Sequence, residues 1–151
     1  MTAALARCVT LAPMDVLRYP LHRKGLPWRP MTTGLPSCRG QWRQAISELA
    51  KCPNVVAKLG EINMEINGFG WHERDRPPTS QELMEVIRPY YEHTTAQFGV
   101  DHCMFESNFP VDKVSCSSNV LWNAFKRLTA HYASDAKAKL FHDTATRSYR
   151  L

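Results

Sequence analysis

A glutamate and an asparagine two residues apart suggest chemistry by their types and spacing. Glu106 and Asn108 lie in the run Cys103-Met-Phe-Glu-Ser-Asn-Phe-Pro-Val-Asp-Lys113. A glutamate can act as a general base, whereas a neutral amide cannot accept a proton and is a poor metal ligand. The run begins with alternating residues typical of a short strand, which must end before Pro110. We therefore predict that both side chains lie at the carboxyl end of a strand, where α/β enzymes keep their active sites.

The alternation also predicts which side chains share a face. Met104, Glu106 and Asn108 fall on one face of the strand, and Phe105 falls on the other. The alternative interpretation is a surface strand that ends in two solvated polar residues and a turn. The run alone leaves both interpretations open.

A second group of polar residues follows an earlier predicted strand, the mostly apolar run at 54–60. Lys58 inside this run is either an edge lysine that reaches solvent or an inward lysine at a site. Residues 61–79 form a long, polar, glycine-rich connection, and loops of this length are often binding loops or lids. Trp71 offers a stacking surface there and His72 could do acid–base work, although Trp71 could equally pin a simple surface excursion.

Helices are predicted around these two strands from apolar residues at helical spacing. They begin with a helix at 41–52, followed by one capped by Thr79 or Ser80 and one with a buried face between Val120 and Leu128. An alternation of helices and strands of this kind predicts an α/β fold.

The run from Cys103 resembles the late-strand signature of the amidohydrolase 2 family, Met-Phe-Gly-Ser-Asp followed by an aromatic residue and proline. The resemblance continues through residues 115–127 and 140–150, includes Trp42 and residues 54–60, and covers roughly residues 41–151. That family contains hydrolases, lactonases and decarboxylases, with or without a metal, on a distorted TIM barrel. One departure is that Asn108 stands where the family has a catalytic aspartate.

The resemblance implies an α/β fold that is a partial, TIM-barrel-like (β/α)₈ structure with only the later strands and helices. The chain has 151 residues, whereas a complete barrel needs at least about 200. Residues 1–40 hold five of the ten prolines and six basic residues, so we expect an irregular, basic, proline-rich leader. Residues 41–151 are expected to form the C-terminal part of the barrel.

The function implied by the resemblance is hydrolysis of a small lactone, amide or ester by attack of an activated water on the carbonyl carbon. Burial raises the pKa of a glutamate, which suits a general base near neutral pH. The expected catalytic residues are Glu106, Asn108 and His72, and the expected substrate-binding residues are Lys58, Glu61 and Trp71.

The resemblance also implies a divalent metal, zinc or manganese, or no metal at all if the metal-independent mode applies; the metal ligands are not identified. Residues 1–40 contain neither the His-x-His pair nor the His-x-Gly-x-Pro-like turn that the family places on its early strands. The sequence thus leaves open whether this chain is an enzyme. The alternative function is an inactive barrel fragment that acts as a pseudo-enzyme or partner-binding module.

Composition narrows the expected partners and location. The leader accounts for the entire net charge of +5, and the neutral body has no basic stripe with interleaved aromatic residues, so we expect no nucleic acid. No apolar run approaches the roughly 18 residues of a membrane span. The five cysteines show no Cys-x-x-Cys spacing, which favours reduced thiols and a cytoplasmic location.

The sequence shows two convincing strands, and an open two-stranded sheet leaves edges that invite association. A homodimer could cover these open barrel edges, and a small molecule is the expected substrate.

Overall fold

A parallel sheet with helices packed on one face is the framework of the protein. The structure is a computed structural model that describes residues 7–10 and 36–151. Its main elements are β1 (Arg7–Thr10), α1 (Pro36–Leu49), β2 (Val55–Leu59), α2 (Ser80–Phe98), β3 (Cys103–Phe105), α3 (Ser118–Leu128), α4 (Ser134–Ala138) and α5 (Thr144–Tyr149). A π turn at Lys139–Asp143 joins α4 to α5, and single 3₁₀ turns occur at Glu65–Asn67, Trp71–Glu73, Val100–His102 and Val111–Val114.

The strands lie in the order in which they occur in the chain. β1 pairs with β2 and β2 pairs with β3, both in parallel. Lys58 is in register with Thr10 on one side and Met104 on the other, so the strands end at a common edge. Successive parallel strands linked by helices are the repeating unit of a (β/α)₈ barrel, and the predicted α/β, partial-barrel fold is confirmed.

The first strand lies in the part of the sequence predicted as an irregular leader. Residues 7–10 form β1, so the sheet has three strands where the sequence showed two. Residues 36–40 already belong to α1, because the helix begins before Gln41. The other leader residues lie outside the described part of the chain.

Alternation along the strands separates a helix-covered face from a second face. Ala57, Leu59 and Phe105 belong to the hydrophobic core built with α1, α2 and α3. Val56 and Met104 are also buried but lie outside that core cluster, on the opposite face. The predicted separation of Met104 from Phe105 is therefore confirmed, and the second face is the one that carries Lys58 and Glu106.

The end of β3 differs from the sequence prediction. The strand stops at Phe105, although the Glu106 N–H still donates to the Leu59 carbonyl oxygen at 3.2 Å. Asn108 has a φ of 52°, a left-handed conformation that breaks the alternation of a strand. Asn108 therefore lies in the turn after the strand, where strand alternation no longer sets the direction of its side chain, which corrects the prediction for this residue.

The N-terminus of α2 follows the predicted capping signal. The Thr79 hydroxyl accepts a hydrogen bond from the Glu82 N–H at 3.2 Å, and the Glu82 carboxylate accepts one from the Thr79 N–H at 2.7 Å. These bonds and Arg76 lower the pKa of Glu82 to about 2. The helix continues without a break to Phe98, and its N-terminus marks the end of the long connection that follows β2.

Among the helices that the structure describes, none is long and apolar enough to cross a membrane.

Candidate active site

An ion pair between Lys58 of β2 and Glu106 after β3 lies at the carboxyl edge of the sheet. The Lys58 side chain is 24% exposed and that of Glu106 is 17% exposed, so both are largely withdrawn from solvent. Burial disfavours the Lys58 ammonium, but the Glu106 carboxylate outweighs this effect and raises the pKa of Lys58 above its usual value. Lys58 is therefore turned inward toward Glu106, and its role at a site stays a prediction.

Gly60 makes the close approach of Glu106 possible. A Cβ atom at position 60 would overlap the Cγ atom of Glu106 and lie 2.9 Å from its Cδ atom and its backbone oxygen. The side chain of Glu106 therefore occupies the space that any other residue at position 60 would need. The glycine after β2 thus sets the direction in which Glu106 leaves β3.

Glu61 adds a second carboxyl group to the pair. Burial, and then the neighbouring Glu106 carboxylate, raises the pKa of Glu61, and Lys58 offsets part of this rise. A side-chain hydrogen bond between Glu61 and Glu106 raises the pKa of Glu61 further. Lys58, Glu106 and Glu61 thus form a charged array in which one carboxyl retains its proton to higher pH than an ordinary glutamate.

The backbone of Glu61 is held in a left-handed conformation, with a φ of 59°. Its carbonyl oxygen accepts a hydrogen bond from the Asn67 side chain at 2.6 Å, which anchors the turn to the following connection. Asn tolerates this conformation well, as at position 108, but for Glu it is strained. Strained residues of this kind are concentrated at functional sites.

We expect Glu61→Gly to be more stable than Glu61→Ala by about 1 kcal/mol, because glycine adopts the left-handed conformation without a steric cost. Both variants lose the same carboxyl group, so the difference isolates the backbone strain. Urea denaturation followed by circular dichroism measures it. Equal stabilities of the two variants would show that the turn at position 61 is unstrained.

Asn108 contacts a carboxylate that the sequence did not identify. Its Nδ2 atom donates to Oδ1 of Asp112 at 2.7 Å, and Asp112 is only 1% exposed. Burial raises the pKa of Asp112, while the Asn108 amide and the adjacent Asn63 offset part of the rise. The separation of four residues across the Pro110 turn was the available signal in the sequence.

The structure does not join His72 and Trp71 to the Lys58–Glu106 pair. Trp71 is buried in the core, and the guanidinium of Arg74 lies 4.2 Å from the centre of its ring. The Nε2 atom of His72 lies 3.5 Å from a Glu65 carboxylate oxygen and 3.8 Å from one of Glu73. The roles assigned to His72 and Trp71 stay predictions, and the described contacts bring together Glu106, Glu61 and Lys58.

Sequential parallel strands, helices on one face and polar residues at the carboxyl edge define a segment of a (β/α)₈-barrel protein. A family model described as amidohydrolase matches residues 24–151, which includes residues 24–40 of the predicted leader. The chain belongs to the amidohydrolase family. It is also similar to the uncharacterized protein y4mH of Sinorhizobium fredii (strain NBRC 101917 / NGR234), with 42% identity over 116 residues.

Two crystal structures of an amidohydrolase from Burkholderia multivorans share the fold, both at 24% sequence identity. The structure with bound HEPES has a TM-score of 0.65 and covers 76% of this chain and 38% of its own. The structure with bound zinc has a TM-score of 0.67, with coverages of 82% and 41%. The match to the Sinorhizobium protein covers 77% of this chain and 35% of that protein, so the chain spans about a third of its relative's length.

The described residues do not fit a divalent metal. In residues 7–10 and 36–151, no group of three or more His, Cys, Asp or Glu side chains is arranged to hold an ion. Glu106 is already paired with the Lys58 ammonium. Asn108, which stands where the family signature has an aspartate, is a neutral amide and a poor metal ligand. Any hydrolysis by this chain is therefore derived from its side chains, with no step assigned to a metal.

Proposed function

We propose that the protein is a hydrolase that cleaves a small lactone, ester or amide by attack of an activated water. The observation that carries the proposal is the array of Lys58, Glu106 and Glu61 at the carboxyl edge of β2 and β3. Membership of the amidohydrolase family supports the hydrolase class. The substrate class and the hydrolytic activity are both part of this proposal.

The array supplies an acid, a base and a fixed positive charge for this reaction. The Glu106 carboxylate removes a proton from water as the water oxygen forms a bond to the carbonyl carbon. The Lys58 ammonium stabilises the negative charge that develops on the carbonyl oxygen. The bond to the leaving oxygen or nitrogen then breaks, and Glu61, whose raised pKa favours the protonated form, donates a proton to the leaving group.

Glu106→Gln is expected to lower kcat/KM by at least about a hundredfold, because glutamine cannot take a proton from water. The assay follows hydrolysis of small lactones with a pH indicator and of aryl esters and anilides by chromophore release. Glu48→Gln is the matched control, since Glu48 is exposed on α1 and pairs with Lys51. Its activity should equal that of the wild type.

Two results would contradict the proposal. Wild-type turnover by Glu106→Gln would remove Glu106 from the mechanism. A wild-type protein that hydrolyses none of the three substrate classes, with added zinc or with a chelator, would favour the inactive, partner-binding alternative.

A further inference from the structure

Asp112 is a buried aspartate that has no cationic partner among the described residues. It is 1% exposed, and none of the ion pairs formed by those residues includes it. Burying a carboxylate without a counterion is unfavourable, and Asn108 and the adjacent Asn63 offset part of this cost. The reaction proposed above does not use it.

Backbone hydrogen bonds fix Asp112 beside Asn108. The Asp112 N–H donates to the Asn108 carbonyl oxygen at 3.2 Å, and the Asp112 carbonyl oxygen accepts bonds from the N–H groups of Ser115 and Cys116. The Ser115 hydroxyl in turn donates to the Asn63 carbonyl oxygen at 2.5 Å. The turn that follows β3 is therefore tied to the connection that follows β2, and Asp112 is held on a rigid support.

The chemistry of the two side chains determines which end of the Asn108 amide faces Asp112. An ionised carboxylate only accepts hydrogen bonds, so it requires the Nδ2 donor of Asn108, as observed at 2.7 Å. The carbonyl oxygen Oδ1 of the planar amide must then point away from Asp112. Among the described residues, the Asn108 side chain makes one hydrogen bond, from Nδ2 to Asp112. Its Oδ1 atom therefore remains available to accept another.

We propose that Asp112 is a positioning residue that holds the Asn108 amide with its carbonyl oxygen toward the attacking water. This inference rests on the proposed function and assigns a role within the same site. Oδ1 accepts one hydrogen bond from the water while the Glu106 carboxylate takes the other proton, which directs a lone pair of the water at the substrate carbonyl. Asn108 thereby supplies a neutral acceptor where the resembling family signature has an aspartate.

The orientation depends on the charge of Asp112. When Asp112 takes up a proton, its O–H can donate to Oδ1, and the amide is no longer held in one orientation. The Glu106 carboxylate raises the pKa of Asp112, and Asp112 in turn raises the pKa of Glu61 near the strand ends, of Tyr91 of α2 and of Cys116. Because burial raises the pKa of Asp112, the loss of orientation begins at a higher pH than for an exposed aspartate.

The test compares Asp112→Leu with Asp112→Asn. Leucine has a similar shape but cannot accept a hydrogen bond, so kcat should fall about tenfold to a hundredfold with little change in KM. Asparagine keeps an acceptor oxygen but adds an amide donor that can bond Oδ1 of Asn108, so the orientation is held only in part and kcat should fall less than in Asp112→Leu.

A second measurement decides the positioning without turnover. The side-chain NH₂ protons of Asn108, observed by ¹H–¹⁵N NMR, should shift on replacement of Asp112 by leucine and shift less on replacement by asparagine. Unchanged Asn108 resonances in folded Asp112→Leu, or equal kcat values for both variants, would overturn the positioning role. Absence of wild-type turnover together with the expected NMR shifts would instead overturn the proposed reaction and the role assigned to Oδ1 in it, and leave the contact itself intact.

Discussion

Gly60→Ala is expected to lower the free energy of unfolding by about 1–3 kcal/mol, the usual cost of forcing an extra carbon into a filled space. The new Cβ atom would overlap the first carbons of the Glu106 side chain and press on its backbone oxygen. Those atoms cannot move aside without moving the chain at the end of β3. The same displacement should separate Glu106 from Lys58 and remove hydrolytic activity to the extent that Glu106→Gln does.

Gly40→Ala is the matched control for this substitution. Gly40 lies in α1, and an added Cβ atom would meet no other atom within 4 Å. Alanine favours the helix over glycine, so this variant should be more stable than the wild type by about 0.5–1 kcal/mol. Urea denaturation of both variants provides the comparison. A Gly60→Ala protein with wild-type stability and activity would show that Glu106 does not lie against position 60.

Phe125→Ala is expected to cost about 3–5 kcal/mol, the range for removing a fully buried aromatic ring. The Phe125 ring stacks on that of Phe105 with centroids 4.3 Å apart and also packs against Tyr91 and Trp122. Phe105 directly precedes Glu106, so the stack fixes the end of β3 against α3. Loss of the ring should destabilise the fold and loosen the position of the Glu106 carboxylate.

Phe141→Ala is the variant whose stability is compared with that of Phe125→Ala. Phe141 also contacts Phe105, with centroids 4.9 Å apart, but it is only partly buried. Its replacement should cost less than that of Phe125, because less apolar area returns to water. Denaturation curves followed by fluorescence of Trp122, which packs on both rings, measure the two values. Equal losses would indicate that Phe125 is not the centre of the cluster.

The sequence predicted most of the helices and strands, and the inner face of β3, because these features depend on local periodicity. The alternation of Met104 with Phe105 is a property of any strand, and the structure reproduces it. The turn at Asn108 was not predicted, because a left-handed backbone at a residue other than glycine leaves little trace in hydrophobic periodicity. The strand at 7–10 was missed because it lies in a proline-rich part of the sequence with no clear hydrophobic period.

The contacts within the site depend on the register between strands, which the sequence does not display. Lys58 and Glu106 were each identified separately, but their pairing follows from the alignment of Leu59 with Phe105. The role of Gly60 likewise depends on a neighbour 46 positions along the chain. Asp112 was overlooked because a single acid in a predicted turn is ordinarily solvated.

The hydrogen bond between the two glutamates has a consequence for how the proposed enzyme returns to its starting state. After one reaction cycle Glu106 holds the proton taken from water, and Glu61 has lost its own. A single transfer along the Glu61–Glu106 bond restores the original distribution. In the proposed reaction, this transfer would return the proton to Glu61 within the site, without exchange with the buffer.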